Sequence, residues 1–166
     1  MKKIISVLTG MVLMGGMLVG CSTTPDDMSY YLTEEGKAVI KESKGYDYVE
    51  IKDVDLDGFA DQYGRTGTNV KVTGKVKDVY FAEENFEIEF IYTHNGWDYE
   101  INVVLPKNQC DIELITKGNT PKNSKDVKKM LDEPITIYGE YFYFGATKSQ
   151  EKNPHHINAY FVEKEN

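Results

Sequence analysis

Apolar and polar residues alternate along several stretches in the second half of the chain, and this period of two predicts β-strands. Three successive stretches cover Val70–Val76, Phe86–Tyr92 and Trp97–Val103. Their connections are short, and the second of them, Thr93–Gly96, ends in the Asn-Gly pair that is typical of a tight hairpin turn. We therefore predict a meander of three antiparallel strands, each with one buried face.

The pattern then changes to a helical one and afterwards returns to strands. Ser124 is an N-cap candidate for a helix over Lys125–Leu131, and further strands are predicted over Ile135–Tyr143 and Ile157–Phe161. Three strands, a helix and two strands are the order of the OB fold, a five-stranded Greek-key barrel with its helix between strands three and four. The fold class is thus mainly β. A meander sandwich with an appended helix is the alternative topology.

Two glycines and a capped helix add detail to this prediction. Gly74 and Gly139 stand in the middle of the first and fourth strands, where a tightly curved barrel has to bend. Before the barrel, Thr33 is an N-cap candidate for a short helix over Glu34–Ser43, which has acidic residues in its first turn and only a narrow apolar face. We expect this helix to pack on the barrel.

The N-terminal segment is organised for export. Lys2 and Lys3 precede sixteen largely apolar residues, Ile4–Val19, which is shorter than the roughly 20 residues of a membrane-spanning helix. The run ends in Leu18-Val19-Gly20-Cys21, which resembles the lipobox of bacterial lipoprotein precursors. That resemblance implies cleavage before Cys21, addition of diacylglycerol with palmitate-type chains to its thiol, and anchoring on the extracytoplasmic face of the cell membrane.

This organisation divides the chain into a signal peptide at 1–20, a lipidated tether at 21–29, an N-terminal helix region at 30–45 and an OB-fold domain at 46–166. Cleavage would change the formal charge from −8 to −10, because Lys2 and Lys3 are lost and residues 1–20 contain no acid. Such a surface disfavours nucleic acid and anionic headgroups. With Cys21 acylated, Cys110 is the remaining thiol, and we expect it to be a small buried apolar residue.

The predicted barrel also resembles a known group of proteins. The run Gly67–Val79, the strand within Ile135–Gly145 and the closing Ile157–Tyr160 are similar to small Gram-positive lipoproteins whose single domain belongs to the tRNA_anti-like group of OB folds. The similarity covers about residues 46–163 and rests on structural positions. It implies an OB barrel held at the cell surface and leaves the ligand open. An aspartate cluster before the first strand departs from that pattern.

The aspartate cluster is the sharpest local motif. It has the spacing D-x-D-x-D-G-x-x-D, which resembles the calcium loops of integrin-type propeller blades and thrombospondin-type repeats. That resemblance implies one structural Ca²⁺. Its ligands would be four carboxylates and one main-chain carbonyl, from Asp53, Asp55, Asp57, Asp61 and Phe59. The alternative is an acidic surface loop or a short Asp-capped turn that leads into the first strand.

Two further groups of side chains are candidates for function. The second and third predicted strands would share an outer face that carries four acids, Glu87, Glu89, Asp98 and Glu100. A hydrolase that uses these acids is a minority hypothesis. The first strand carries Lys71, Lys75 and Lys77, which stand where they can pair with those acids. Basic binding faces are typical of OB folds that bind nucleic acid, so this face argues against that ligand.

The aromatic run of the fourth strand offers a better binding surface. Tyr138, Phe142 and Phe144 should share one face, opposite to Tyr141 and Tyr143, and either bind a ligand or pack against the N-terminal helix. We expect the neighbouring His155 and His156 to end a solvated loop. The sequence therefore predicts a non-catalytic binding module, whose partner is an envelope protein or glycan, and whose alternative role is a calcium-stabilised accessory protein.

Overall fold

A computed structural model describes residues 31–64, 67–116, 133–145 and 153–165. These residues form two α-helices and six β-strands, with short 3₁₀ turns after the fourth strand. In chain order the elements are α1 (Glu34–Ser43), β1 (Val49–Ile51), α2 (Leu56–Tyr63), β2 (Thr68–Phe81), β3 (Asn85–His94), β4 (Trp97–Pro106), β5 (Ile135–Tyr143) and β6 (His155–Lys164). The predicted signal peptide, Cys21, the tether and the predicted helix over Lys125–Leu131 lie outside the described residues.

Five of the strands close into a barrel. β2, β3 and β4 form the antiparallel meander, β4 pairs in parallel with β6, β6 pairs antiparallel with β5, and β5 returns to β2. This is the connectivity of the OB fold, so the predicted fold class is confirmed and the sandwich alternative is wrong. The short strand β1, which the sequence did not predict, adds to β2 in parallel.

The long strand β2 belongs to both sides of the barrel, and Gly74 is its turning point. Residues up to Gly74 pair with β5, and residues from Lys75 onward pair with β3. A Cβ atom on Gly74 would overlap the carbonyl oxygen of Ile91 and lie 2.8 Å from the ring of Phe90. Gly139 on β5 also sits at a register shift and has the backbone of β6 close against it. Both glycines therefore stand at bends, as the sequence predicted.

The interior of the barrel is filled by the alternating apolar residues of all five strands. Among the fully buried side chains are Phe86, Phe90, Ile101, Ile137 and Tyr141. Cys110 is buried with them, and burial raises the pKa of its thiol well above the usual value. It is therefore a small buried apolar residue, as predicted.

Helix α2 covers one end of the barrel. Its apolar residues Leu56, Phe59 and Ala60 are buried, and the ring of Phe59 lies 5.4 Å from that of Tyr141. Residues 107–116 contribute buried side chains to the core from beyond the end of β4, at the opposite end. The barrel is thus covered at both ends by segments outside the sheet.

Helix α1 begins and ends where the sequence predicted. The Thr33 side chain accepts a hydrogen bond from the N–H of Gly36, and the acidic first turn suits the positive end of the helix dipole. Gly36 packs directly on the backbone of Asn108, so the helix lies against the segment that follows β4. Across the described residues, no helix has the length and apolar character needed to cross a bilayer.

Candidate functional site

A groove runs across the outer face of the barrel. Cross-strand pairs place one residue from each of five strands in a continuous row, in the order Asp78, Glu89, Asn102, His156 and Phe142. Beside this row lies a groove of about 330 Å³. Its lining includes the side chains of Tyr80, Glu87, Glu89, Asn102, Val104 and His156. The outer face of the second and third barrel strands, on which ligands bind in OB folds, is therefore the floor of this groove.

One wall of the groove is a tyrosine held by carboxylates. The Tyr80 hydroxyl donates a hydrogen bond to Asp78 at 2.9 Å and lies 3.5 Å from a carboxylate oxygen of Glu89. The hydrogen bond to Asp78 raises the pKa of Tyr80 to about 12, with smaller contributions from desolvation and from the charge of Glu89. The Tyr80 ring therefore stays neutral at all physiological pH values and offers an amphipathic surface beside two acids.

Lys77 forms ion pairs with Glu89 and Glu100 on the outer face of the barrel. Its ammonium group forms ion pairs with Glu100 at 2.5 Å and with Glu89 at 3.3 Å, and its pKa is raised chiefly by the hydrogen bond to Glu100. The predicted pairing of the lysines of β2 with the acids of the next two strands is thus confirmed for Lys77. Lys71 pairs instead with Glu50 of β1. Asp98 lies away from the groove, at the β3–β4 hairpin, and accepts a hydrogen bond from Thr93.

Aromatic rings lie beside the groove, next to His156, which lines it. Phe144 is 55 % exposed, and its ring lies 4.8 Å from the imidazole of His156 and 6.2 Å from the ring of Phe142. The backbone just after β5 is joined to the backbone just before β6, because the N–H of Phe144 donates a hydrogen bond to the carbonyl of Pro154. Asn153 donates to the side-chain oxygen of Asn102 and accepts from His156 through its main chain. These bonds fix one rim of the groove.

Tyr138, the third predicted aromatic of this face, serves a different purpose. Its ring stacks on Phe161 at 4.4 Å and meets Tyr48 edge-on at 5.2 Å. Lys44, the C-cap residue of α1, lies over the ring of Phe161. Tyr138 therefore packs against Phe161 and against Tyr48, which lies between α1 and β1, while Phe142 and Phe144 border the groove.

The predicted calcium ligands are not brought together. Asp55 is the N-cap of α2, where its side chain accepts from the N–H of Asp57, and Asp57, Phe59 and Asp61 are residues of the helix. Phe59 turns inward to the core. Throughout the parts of the chain that the structure describes, no three His, Cys, Asp or Glu side chains are grouped to hold a metal ion. The predicted loop conformation is thus wrong, because the backbone from Leu56 onward is helical. The alternative of a short Asp-capped turn is closer to the observed structure, in which Asp55 caps a helix.

His155 is also placed differently from the prediction. It is 4 % exposed and begins strand β6, so the prediction of a solvated loop end is wrong for this residue. Its Nδ1 lies 2.8 Å from the hydroxyl of the buried Tyr141, and its Nε2 lies 3.3 Å from a carboxylate oxygen of Asp57. Asp57 itself remains 70 % exposed. The imidazole therefore joins the barrel wall to helix α2.

Stability should depend on the protonation of His155. Burial, the largest effect, lowers the pKa of its ring below the ordinary 6.5, although the charge of Asp57 opposes that shift. The unfolded chain then takes up the proton first, so stability is present above pH 6.5 and is lost as the pH falls toward the folded-state pKa. We expect the free energy of urea unfolding to fall between pH 7.5 and 5.5 by at most about 1.4 kcal/mol per pH unit from this group.

The control for this pH dependence uses the other histidines. His155→Gln removes the titrating ring and should flatten the slope between pH 7.5 and 5.5, whereas His94→Gln, at the hairpin, should leave it as in the parent protein. Equal slopes in the parent protein and in His155→Gln would contradict the assignment.

The comparisons with known proteins add little to this geometry. No protein-family model and no curated protein matches the chain. A solved structure described as an aspartyl-tRNA synthetase from Leishmania major Friedlin overlaps 80 % of this chain with a TM-score of 0.41 and 7 % identity. The overlap spans about a quarter (26 %) of that protein's length. At this level of similarity the OB fold rests on the strand pairing described above.

Proposed function

We propose that the protein is a lipid-anchored, extracytoplasmic binding module, and that its groove takes an uncharged, hydroxyl-rich ligand, an envelope glycan. The observation that carries this proposal is the groove itself, which combines carboxylate, amide and imidazole side chains with exposed aromatic rings at its rim. The predicted lipobox at Cys21 supplies the location. Catalysis by the acidic strands is not part of the proposal.

The chemistry of the groove suits sugars better than the other ligands of OB folds. Carboxylate oxygens accept hydrogen bonds from hydroxyl groups, and the Asn102 amide can both donate and accept. Aromatic rings such as Phe144 offer a flat apolar surface to the carbon-bound hydrogens of a sugar ring. The formal charge of −8 and the row of acids repel nucleic acid and anionic polymers. A volume of about 330 Å³ is at the small end of ligand pockets, so an open groove would hold a short stretch of a longer chain.

Glu87→Ala tests the proposal directly. Glu87 is exposed and lines the groove, so the change should leave stability within about 0.5 kcal/mol and weaken glycan binding about tenfold, which corresponds to about 1.4 kcal/mol. Binding is measured by calorimetry on purified protein, with neutral oligosaccharides from the native envelope as titrants. Phe144→Ala should have the same effect, because its ring is exposed at the rim.

Glu35→Ala on α1 is the matched control, since it removes the same charge from an exposed site that is not part of the groove. It should bind like the parent protein. Equal losses in Glu87→Ala and Glu35→Ala would reveal a general charge effect, and the absence of heat with any neutral glycan would reject the proposed ligand class.

A further inference from the structure

A second surface lies at the tip of the β3–β4 hairpin, away from the groove. Trp97, the only tryptophan of the chain, is 75 % exposed there. Ile101, Val103 and Leu105 of β4 point into the barrel, and the same side of the strand continues beyond the barrel end as Tyr99 and then Trp97. The indole therefore belongs to the inner face of the hairpin, at a point where the barrel no longer covers it.

The hairpin that carries this indole is braced by hydrogen bonds. Asn95 and Gly96 both have positive φ angles, 51° and 79°, as the tight primed turn requires. The Thr93 hydroxyl bonds to Asp98 across the strands at 2.7 Å. Below the tip, the Tyr92 hydroxyl bonds to the main chain of Val54 at 2.9 Å. An exposed ring on a braced support loses little conformational freedom on binding, which favours a binding role.

Acidic residues at the start of α2 lie on the side of the hairpin that carries Tyr99 and Trp97. The Tyr99 hydroxyl, on the strand side of Trp97, donates to the Asp55 carboxylate at 3.0 Å. That bond is the main reason why the pKa of Asp55 is lowered, and the charge of His94, the cross-strand partner of Trp97, adds to it. Asp53 and Asp57 are exposed on either side of Asp55. An aromatic ring and three carboxylates therefore border one corner of the molecule.

This corner of the molecule carries three acidic side chains. The partner of Asp57 is His155, and burial lowers the pKa of that imidazole, so its ring does not cancel the aspartate charge. A bilayer with anionic headgroups is repelled by such a surface, and a second copy of the same acidic chain is repelled as well. The complementary ligand is cationic. Lysine and arginine side chains combine attraction to carboxylates with cation–π contact to an indole.

We propose that the corner formed by Trp97 and the aspartates Asp53, Asp55 and Asp57 docks a basic segment of a partner polypeptide, with a lysine or arginine side chain between the indole and the carboxylates. This surface is separate from the groove. The module would then hold a protein at one end of the barrel and a glycan on its face.

The single tryptophan makes the test specific, because emission of the full chain in detergent, excited at a wavelength that tryptophan absorbs and tyrosine does not, reports on Trp97 alone. The probe is an acetylated, amidated tetra-arginine peptide. We expect a saturable change in emission that weakens when the ionic strength rises from about 0.02 M to 0.5 M, where charge attraction is screened. The citrulline and glutamate analogues of the peptide should produce no change.

Variants separate this surface from general charge. Asp53→Asn with Asp57→Asn should weaken binding of the arginine peptide about tenfold. Glu35→Gln with Glu113→Gln removes the same charge from exposed sites elsewhere and should not. With a dye-labelled peptide, Trp97→Ala should lose binding about tenfold, Trp97→Phe should lose less, and Glu87→Ala in the groove should bind like the parent protein.

Three results would overturn the proposal. The first is an equal response to the citrulline peptide. The second is a blue shift of Trp97 emission on neutral phosphatidylcholine vesicles in the absence of peptide, which would make the indole a membrane contact. The third is emission that changes with protein concentration, which would assign this face to a second copy of the chain.

Discussion

Gly74→Ala is expected to lower the free energy of unfolding by about 3 kcal/mol, because the added methyl group has no space. It would overlap the carbonyl oxygen of Ile91, which is part of the β2–β3 ladder, and press on the ring of Phe90, which is fully buried. Neither group can move without disturbing the strand at the point where β2 changes partner. Urea unfolding followed by circular dichroism measures the loss.

Gly58→Ala provides a control of opposite sign. Gly58 lies in helix α2, its φ angle is not positive, and apart from its chain neighbours and the helix's own backbone no atom of the described residues lies within 4 Å of the position that a Cβ atom would take. Alanine should therefore stabilise the protein by about 0.5–1 kcal/mol, since glycine loses more backbone entropy in a helix. If the two substitutions shift stability in the same direction, the bend at Gly74 is not as described.

Leu56→Ala is the second large effect, expected to cost about 3 kcal/mol. Leu56 is the first residue of α2 and is completely buried at the covered end of the barrel, so truncation leaves a cavity there. Urea unfolding curves measure the loss.

Val39→Ala is the comparison for Leu56→Ala. Val39 is an apolar residue of the other helix, but 38 % of it is exposed, so its truncation should cost less than about 1 kcal/mol. Similar losses for the two variants would mean that α2 does not cover the barrel in solution.

Local signals were sufficient to predict most of the fold. The alternation of apolar residues gave the strands β2 to β6, because each of them buries one face of a closed sheet. The Asn95-Gly96 pair and the Thr33 cap marked the turn and the helix start correctly, since both depend on a few neighbouring residues. Strand β1 was missed because three residues are too few to show a period.

Helix α2 was missed for a different reason. Leu56, Phe59, Ala60 and Tyr63 have the spacing of an amphipathic helix, and this signal was present in the sequence. The aspartate motif that overlaps it has the spacing of a calcium loop, and this spacing masks the apolar period. A local motif could not show that the barrel end required an apolar cover.

The candidate sites depend on contacts that a single sequence does not contain. His155 meets Tyr141 on a neighbouring strand and Asp57 nearly a hundred residues earlier, so its burial could not be deduced from its own neighbourhood. The groove likewise requires the register of five strands, which places His156 beside Asn102 and Phe142. The separation of Phe142 and Phe144 from Tyr138 was left open because it depends on where the N-terminal region packs.

The double pairing of β2 also determines when the chain can finish folding. The half of β2 from Lys75 onward pairs with β3, which follows in a short hairpin. The half up to Gly74 pairs with β5, and the partner of Thr68 there is Tyr141, which is synthesised 73 residues later. Until β5 and β6 are synthesised, the half of β2 up to Gly74, which includes Val70 and Val72, has β1 on one side and an unpaired edge on the other. Such an edge is a template for misassembly. A chain truncated before Ile135 should therefore aggregate, and a factor that shields this edge would matter most before β5 is complete.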